Sequence, residues 1–179
     1  MNADRRRVLT GALGLFGGAA LGAPALAATE AKTLSLVNLH TGEKLKATFV
    51  ENGRYVPDAL QALNHLLRDH RTGESHKMAP GLLDLVADLT GKLDTRETVQ
   101  IISGYRSPKS NAAMHRASSG VASHSLHMEG EAMDIRIAGV DLTRLRDAAL
   151  SMQRGGVGFY PTSNFVHVDV GRVRRWQGA

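Results

Sequence analysis

His127 and Asp134 stand seven residues apart in the stretch Ser125-Leu-His127-Met-Glu-Gly130-Glu-Ala132-Met-Asp134, a loop running into an alternating, strand-like segment. A second strand-like run, Phe165-Val-His167-Val-Asp169, supplies another imidazole. Two imidazoles and one carboxylate form the mixed nitrogen and oxygen set that a catalytic zinc uses when its fourth position stays open to water. The types and order of these residues therefore point to a hydrolytic metal centre holding Zn2+. Cobalt, nickel or manganese would also accept two nitrogens and one oxygen. His167 and Asp169 differ by two residues and share one face of their strand.

The other histidines fit the pattern less well. His40, His65, His70 and His76 lie far from these motifs, and His115 falls in a helical stretch, so all five are read as non-ligands. His124 reads as an exposed loop residue rather than a substrate contact. Glu129 and Glu131, which flank the ligand motif, read as solvated loop charges.

Composition narrows the chemistry further. The 179 residues contain no cysteine, which excludes disulfides, thiolate metal sites and a cysteine nucleophile. Arg5, Arg6 and Arg7 precede an uncharged Gly/Ala/Leu-rich run over 10–23, closed by Ala25-Leu-Ala27. This reads as a cleaved export signal over 1–27, of the twin-arginine type, with a core too short and glycine-broken to span a membrane. Its removal takes away three arginines and Asp4, so the formal charge of +5 falls to +3. A charge that small, spread along the chain, disfavours nucleic acid as a partner. Residues 28–179 are enough for one domain with its own core.

Alternating apolar residues on either side of His40-Thr-Gly-Glu43 predict an N-terminal hairpin. Helical spacing predicts helices over 57–70, 80–93, 109–117 and from Asp141 to about Met152, the third capped near Ser107. Strands are predicted over 98–103, 132–137, 157–160 and 165–170, with a Ser/Gly-rich mobile loop over 117–125. In the strand over 132–137, Asp134 should point one way and Met133 and Ile135 the other. Tyr105 reads as core, and Trp176 as a C-terminal packing anchor among solvated arginines.

Three motifs in fixed order, Ser103-Gly-Tyr-Arg106-Ser-Pro, the Ser125 to Asp134 stretch and the His167 strand, resemble those of the zinc D-Ala-D-Ala metallopeptidases. The resemblance covers residues 98–176 and is nearest to the exported murein endopeptidase branch, given Gly155-Gly-Val-Gly-Phe-Tyr-Pro before the last strand. It implies that His127, Asp134 and His167 are the zinc ligands. It also implies that Arg106 steadies the substrate carbonyl as it becomes an oxyanion. Many relatives of this fold carry an acid three residues before the last histidine, where this chain has Asn164, whose amide cannot accept a proton. Asp169 is then the substitute candidate for general base, or alternatively the group that orients His167.

The expectation is one α+β domain, with a small antiparallel sheet carrying the zinc and helices packed against it. Its expected activity is zinc-dependent hydrolysis of peptidoglycan peptide cross-links by a metal-activated water, in the periplasm or cell envelope. The alternatives are a non-catalytic zinc-bearing wall-binding module, as the likeness of this fold to the hedgehog signalling domain suggests, and a D,D- or L,D-carboxypeptidase trimming stem peptides. The oligomeric state is left open.

Overall fold

The computed structural model describes residues 30–117 and 122–178. The predicted signal over 1–27 and residues 118–121 of the predicted mobile loop lie outside the described residues. Alternation produces the hairpin first. β1 (Lys32–Asn38) pairs antiparallel with β2 (Lys44–Glu51), burying Leu34 and Leu36, and the two-residue β3 (Arg54–Tyr55) extends its edge. α1 (Pro57–Leu66) and α2 (Pro80–Lys92) both open on proline, whose fixed φ suits the first turn and whose missing N–H has no acceptor to lose there.

β4 (Val99–Ser103), α3 (Pro108–Ala117), β5 (Ala132–Ile137), α4 (Leu142–Met152), β6 (Gly156–Tyr160), β7 (Phe165–Asp169) and β8 (Arg174–Gln177) complete the chain. The strands form one sheet in the order β3-β2-β1-β4-β5-β7-β6-β8. The α+β class stands as expected, but the sheet is larger than a small antiparallel one. It has eight strands, and β1 with β4 and β6 with β8 run parallel. The intervening helices give β4 the long crossover that parallel pairing needs. β8, four residues of arginine, tryptophan and glutamine, has no apolar alternation from which it could be read.

α2 packs on β1, α4 on β5, β6 and β7, and α1 on β2. Their shared core includes Leu83, Val86, Ile101, Ile135, Leu145 and Val166. Met133 and Ile135 join this core as predicted, so alternation turns Asp134 to the opposite face. That face carries the polar chemistry.

α1 ends four residues before the predicted boundary, because the chain turns around Asp69. Its backbone N–H donates to Glu74 O at 2.9 Å, and its carbonyl accepts from Gly73 N at 2.8 Å. Its side chain, 1% exposed, joins two segments. Oδ1 accepts from Arg71 N at 2.9 Å, while Oδ2 accepts from Ser107 N at 2.9 Å and Ser107 Oγ at 2.7 Å. Ser107 Oγ in turn accepts from Ser110 N at 3.2 Å, capping α3. Burial alone would raise the pKa of Asp69, but hydrogen bonds from Ser110, Ser107 and the Arg71 and Ser107 amides outweigh it and hold the carboxyl well below the usual range.

A carboxyl more acidic in the folded than in the unfolded chain stabilises fully above the unfolded pKa of about 3.9, and loses that contribution as pH falls toward the folded value. Asp69→Asn is therefore expected to lower unfolding stability by about 2 kcal/mol at neutral pH. Denaturant titrations should show this gap narrowing below about pH 4, and a gap independent of pH would contradict the account.

Candidate metal centre

Strand register assembles the centre. Ser103 lies opposite Asp134, Asp134 opposite His167, His167 opposite Gly158, and Gly158 opposite Trp176, a row crossing five strands on one face. A β-bulge between Ile101 and Ser103 brings Ser103 into this row. His127 arrives from a 3-10 turn, Leu126–Glu129, that closes on Gly130 in left-handed conformation at φ 69°. A Cβ at Gly130 would stand 2.5 Å from Lys77 O, so the turn packs against the segment before α2 only because this residue is glycine. Arg106 N donates to His127 O at 3.1 Å, fastening the turn to the end of β4.

Three donor atoms converge. His127 Nε2 and His167 Nδ1 lie 3.2 Å apart, His167 Nδ1 and Asp134 Oδ1 2.9 Å, and His127 Nε2 and Asp134 Oδ1 3.3 Å. All three residues are at most 9% exposed. The far ring nitrogens are committed outward: His127 Nδ1 donates to Gly104 O at 2.8 Å and His167 Nε2 to Asp169 Oδ2 at 3.0 Å. With both ring hydrogens so placed, each imidazole turns a lone pair toward Asp134 Oδ1. Three acceptors facing one point need a cation between them.

Separations of 2.9–3.3 Å are close to the edge of about 3.3 Å that a tetrahedron with bonds of about 2.0–2.1 Å requires. The nitrogen and oxygen set therefore fits zinc. Among the described residues this is the one group of three or more potential ligands gathered tightly enough to hold an ion.

The electrostatics agree. Burial pushes the His127 pKa down, which favours the neutral ring that a metal needs. Burial would raise Asp134, but His127 and His167 outweigh it and hold the carboxyl below the usual range. His167 is raised because Asp134 and Asp169 overcome its burial, so a metal at this point competes with a proton.

Asp169 is completely buried on the outer side of His167. Oδ1 accepts from the amides of Gly156 and Gly171, each at 2.9 Å, and from Arg174 Nη1 at 3.0 Å. Oδ2 accepts from Arg174 Nη2 at 2.6 Å as well as from His167. Burial alone would raise its pKa, but His167, Arg174 and the two amides overcome that and hold it well below the carboxylate range. Such a group is suited to orienting a ring and poorly suited to taking up a proton.

Arg106, 7% exposed, lies on the other flank. Its contacts are long: Nη1 to Asn111 Oδ1 at 3.4 Å, and Nη2 to Ser103 Oγ at 3.5 Å and to Asp134 Oδ2 at 3.7 Å. Its Nε is buried without any partner among the described residues. This guanidinium has hydrogen-bonding capacity to spare.

Asn164 is exposed in the turn between β6 and β7, at φ 55°. Glu129 and His124 are exposed and Glu131 is half-buried, all outside the cluster. His40 and His70 stack on each other with ring centroids 3.7 Å apart, and His76 stacks on Tyr105 at 4.8 Å. Trp176 is more than a terminal anchor, because its ring lies 5.1 Å from that of His167. A Cβ on the intervening Gly158 would come within 2.5 Å of the indole, so the missing side chain is what seats it. Asp69 and the Trp176 contact were missed in the sequence, since neither sits in a periodic or motif pattern.

The description "Peptidoglycan L,D-endopeptidase MepK" belongs to the family model that matches residues 26–176. The protein of that name from Escherichia coli strain K12 is 46% identical over 183 residues, covering 98% of each chain, and the Shigella flexneri protein matches equally. "Probable peptidoglycan L,D-endopeptidase MepK" of Haemophilus influenzae is 44% identical over 148 residues, covering 82% of this chain and 80% of that one. No solved structure matches.

Removing one converging donor should remove the ion, so His127→Ala is expected to purify without stoichiometric zinc by elemental analysis. Asp169→Asn should weaken zinc affinity about 10- to 100-fold, with turnover recovering in excess zinc. Full zinc occupancy combined with abolished turnover in Asp169→Asn would instead mark it as the base.

Proposed function

The chain belongs to the peptidoglycan L,D-endopeptidase MepK family, and we propose that it cuts peptidoglycan cross-links at the corner formed by His127, Asp134 and His167. It is a zinc-dependent murein peptidase, and the observation that carries this reading is the convergence of three acceptors within 3.3 Å. Zinc bound there supplies Lewis-acid polarisation of the scissile carbonyl and acidifies the water that attacks it. We extend to this chain the L,D specificity in its relatives' names, meaning an amide that joins an L-centre acyl group to a D-centre amine.

The chain's own residues have distinct tasks. His127 and His167 hold the ion as neutral rings, each fixed in one tautomer by Gly104 O and by Asp169. Asp134 contributes the charge that two neutral rings lack. Arg106, with its orphaned Nε and long contacts, completes its hydrogen bonding on the substrate carbonyl oxygen and stabilises the negative charge that develops there. Asp169 acts through His167, as an orienting group rather than as the base.

An export signal over 1–27 puts this activity in the periplasm or cell envelope, where the polymer lies, and the paired arginines favour the twin-arginine route. No helix of the described residues is long and apolar enough to cross a membrane. Asn164, in place of an acid, supports a second reading as a zinc-bearing wall-binding module without turnover.

Incubating purified protein with cross-linked muropeptides, with and without a chelator, separates these readings. Products that disappear on chelation and return with zinc are expected, whereas intact substrate beside fully zinc-loaded protein would favour the module. Arg106→Ala should keep its zinc yet lose about 100- to 1,000-fold in kcat. An unchanged kcat would remove Arg106 from the reaction.

A further inference from the structure

A second row of side chains runs beside the metal row on the same face. Gln100 lies opposite Arg136 across β4 and β5, and Phe165 opposite Tyr160 across β7 and β6. Arg136, Phe165 and Tyr160 stand two residues from Asp134, His167 and Gly158, so alternation puts them on the metal side at a distance of about 7 Å along the strands. All four residues are half-buried.

Arg136 has no carboxylate. Its Nε donates to Gln100 Oε1 at 2.6 Å, and no ion pair reaches it among the described residues. Among the described arginines that are not exposed, the others, Arg68, Arg106, Arg146 and Arg174, each face an acid. A neutral amide aims the guanidinium without cancelling its charge. With Nε held, the two Nη groups remain as a fork whose spacing matches both oxygens of a carboxylate. Next to it, the Tyr160 and Phe165 rings stack with centroids 4.5 Å apart, giving an apolar platform. Tyr160 Oη accepts from Trp176 Nε1 at 2.8 Å, which ties this platform to the metal row.

We propose that this row is the substrate shelf, and that Arg136 takes the free carboxylate on the carbon bearing the scissile nitrogen. The inference rests on the murein peptidase reading above. In a cross-link made through a diaminopimelate side chain, the D-centre that supplies the leaving amine carries such a carboxylate. The aliphatic part of that side chain lies over Phe165 and Tyr160. Arg136 thereby selects cross-links by the acid beside the bond and fixes which amine leaves.

The test uses two cross-linked peptides, identical except that this carboxylate is free in one and a carboxamide in the other, with zinc-loaded protein. The natural chain should prefer the free acid by about 10- to 100-fold in kcat/KM, mainly through KM, the size expected for a charged hydrogen-bonded pair. Arg136→Gln should bring the two peptides to near equality. Gln100→Glu, which supplies an internal carboxylate to the same fork, should do likewise and decides the matter alone if the first variant does not fold. A preference that survives in folded variants, or is absent from the natural chain, overturns the shelf and leaves the peptidase intact. Cleavage of neither peptide by the natural chain overturns both.

Discussion

The near nitrogens of two imidazoles and a carboxylate oxygen meet within 3.3 Å, and when both rings are neutral all three are acceptors. Buried acceptors so placed repel one another, and in a low-dielectric setting the repulsion is severe. Only a proton or a metal relieves it, and a divalent ion satisfies all three at once. Much of the surrounding architecture serves to hold this unfavourable arrangement ready. Gly104 O and Asp169 draw the two ring hydrogens outward, the β5 and β7 register sets Asp134 against His167, and the Gly130 turn brings His127 in from outside the sheet.

Two buried carboxylates, Asp69 and Asp169, carry out the same operation at different places. Each gathers several N–H donors, joined at Asp69 by the Ser107 hydroxyl, and stays ionised, and each joins separate segments of the chain. Asp69 clips the loop after α1 to the start of α3, beside Arg106. Asp169 joins the entry to β6, the turn after β7 and Arg174 to the outer edge of His167. Saturated buried acids of this kind are stiff, and stiffness is what a metal corner with one open position needs. α2 and α4 pack on the core face, so the opposite face of the strands carries Asp134 and His167, and His127 and Arg106 are brought to it by the turn and the loop that flank them.

Much of the site was legible in the sequence, because it is written in local spacing. His127 and Asp134 lie on one short segment, and the alternation that follows places Asp134 opposite Met133 and Ile135. His167 and Asp169, two residues apart, had to share a face. Cross-strand relations were not legible. Nothing local in Gln100 or Arg136 announces their pairing, which depends on which strands become neighbours. β8 escaped detection because its stability comes from parallel pairing with β6 and from a tryptophan seated over Gly158, not from an apolar pattern of its own. Asp69 looked like an ordinary polar residue near a helix end, and its importance arises from Ser107, thirty-eight positions away.

The most direct test is the location and coordination of the ion itself. Anomalous diffraction at the zinc absorption edge from crystals of the zinc-loaded protein should give one peak about 2.0–2.1 Å from His127 Nε2, Asp134 Oδ1 and His167 Nδ1, with Asp169 still bound to the far nitrogen of His167. A peak elsewhere, or one bound to His167 through Nε2 with Asp169 displaced, would contradict the account.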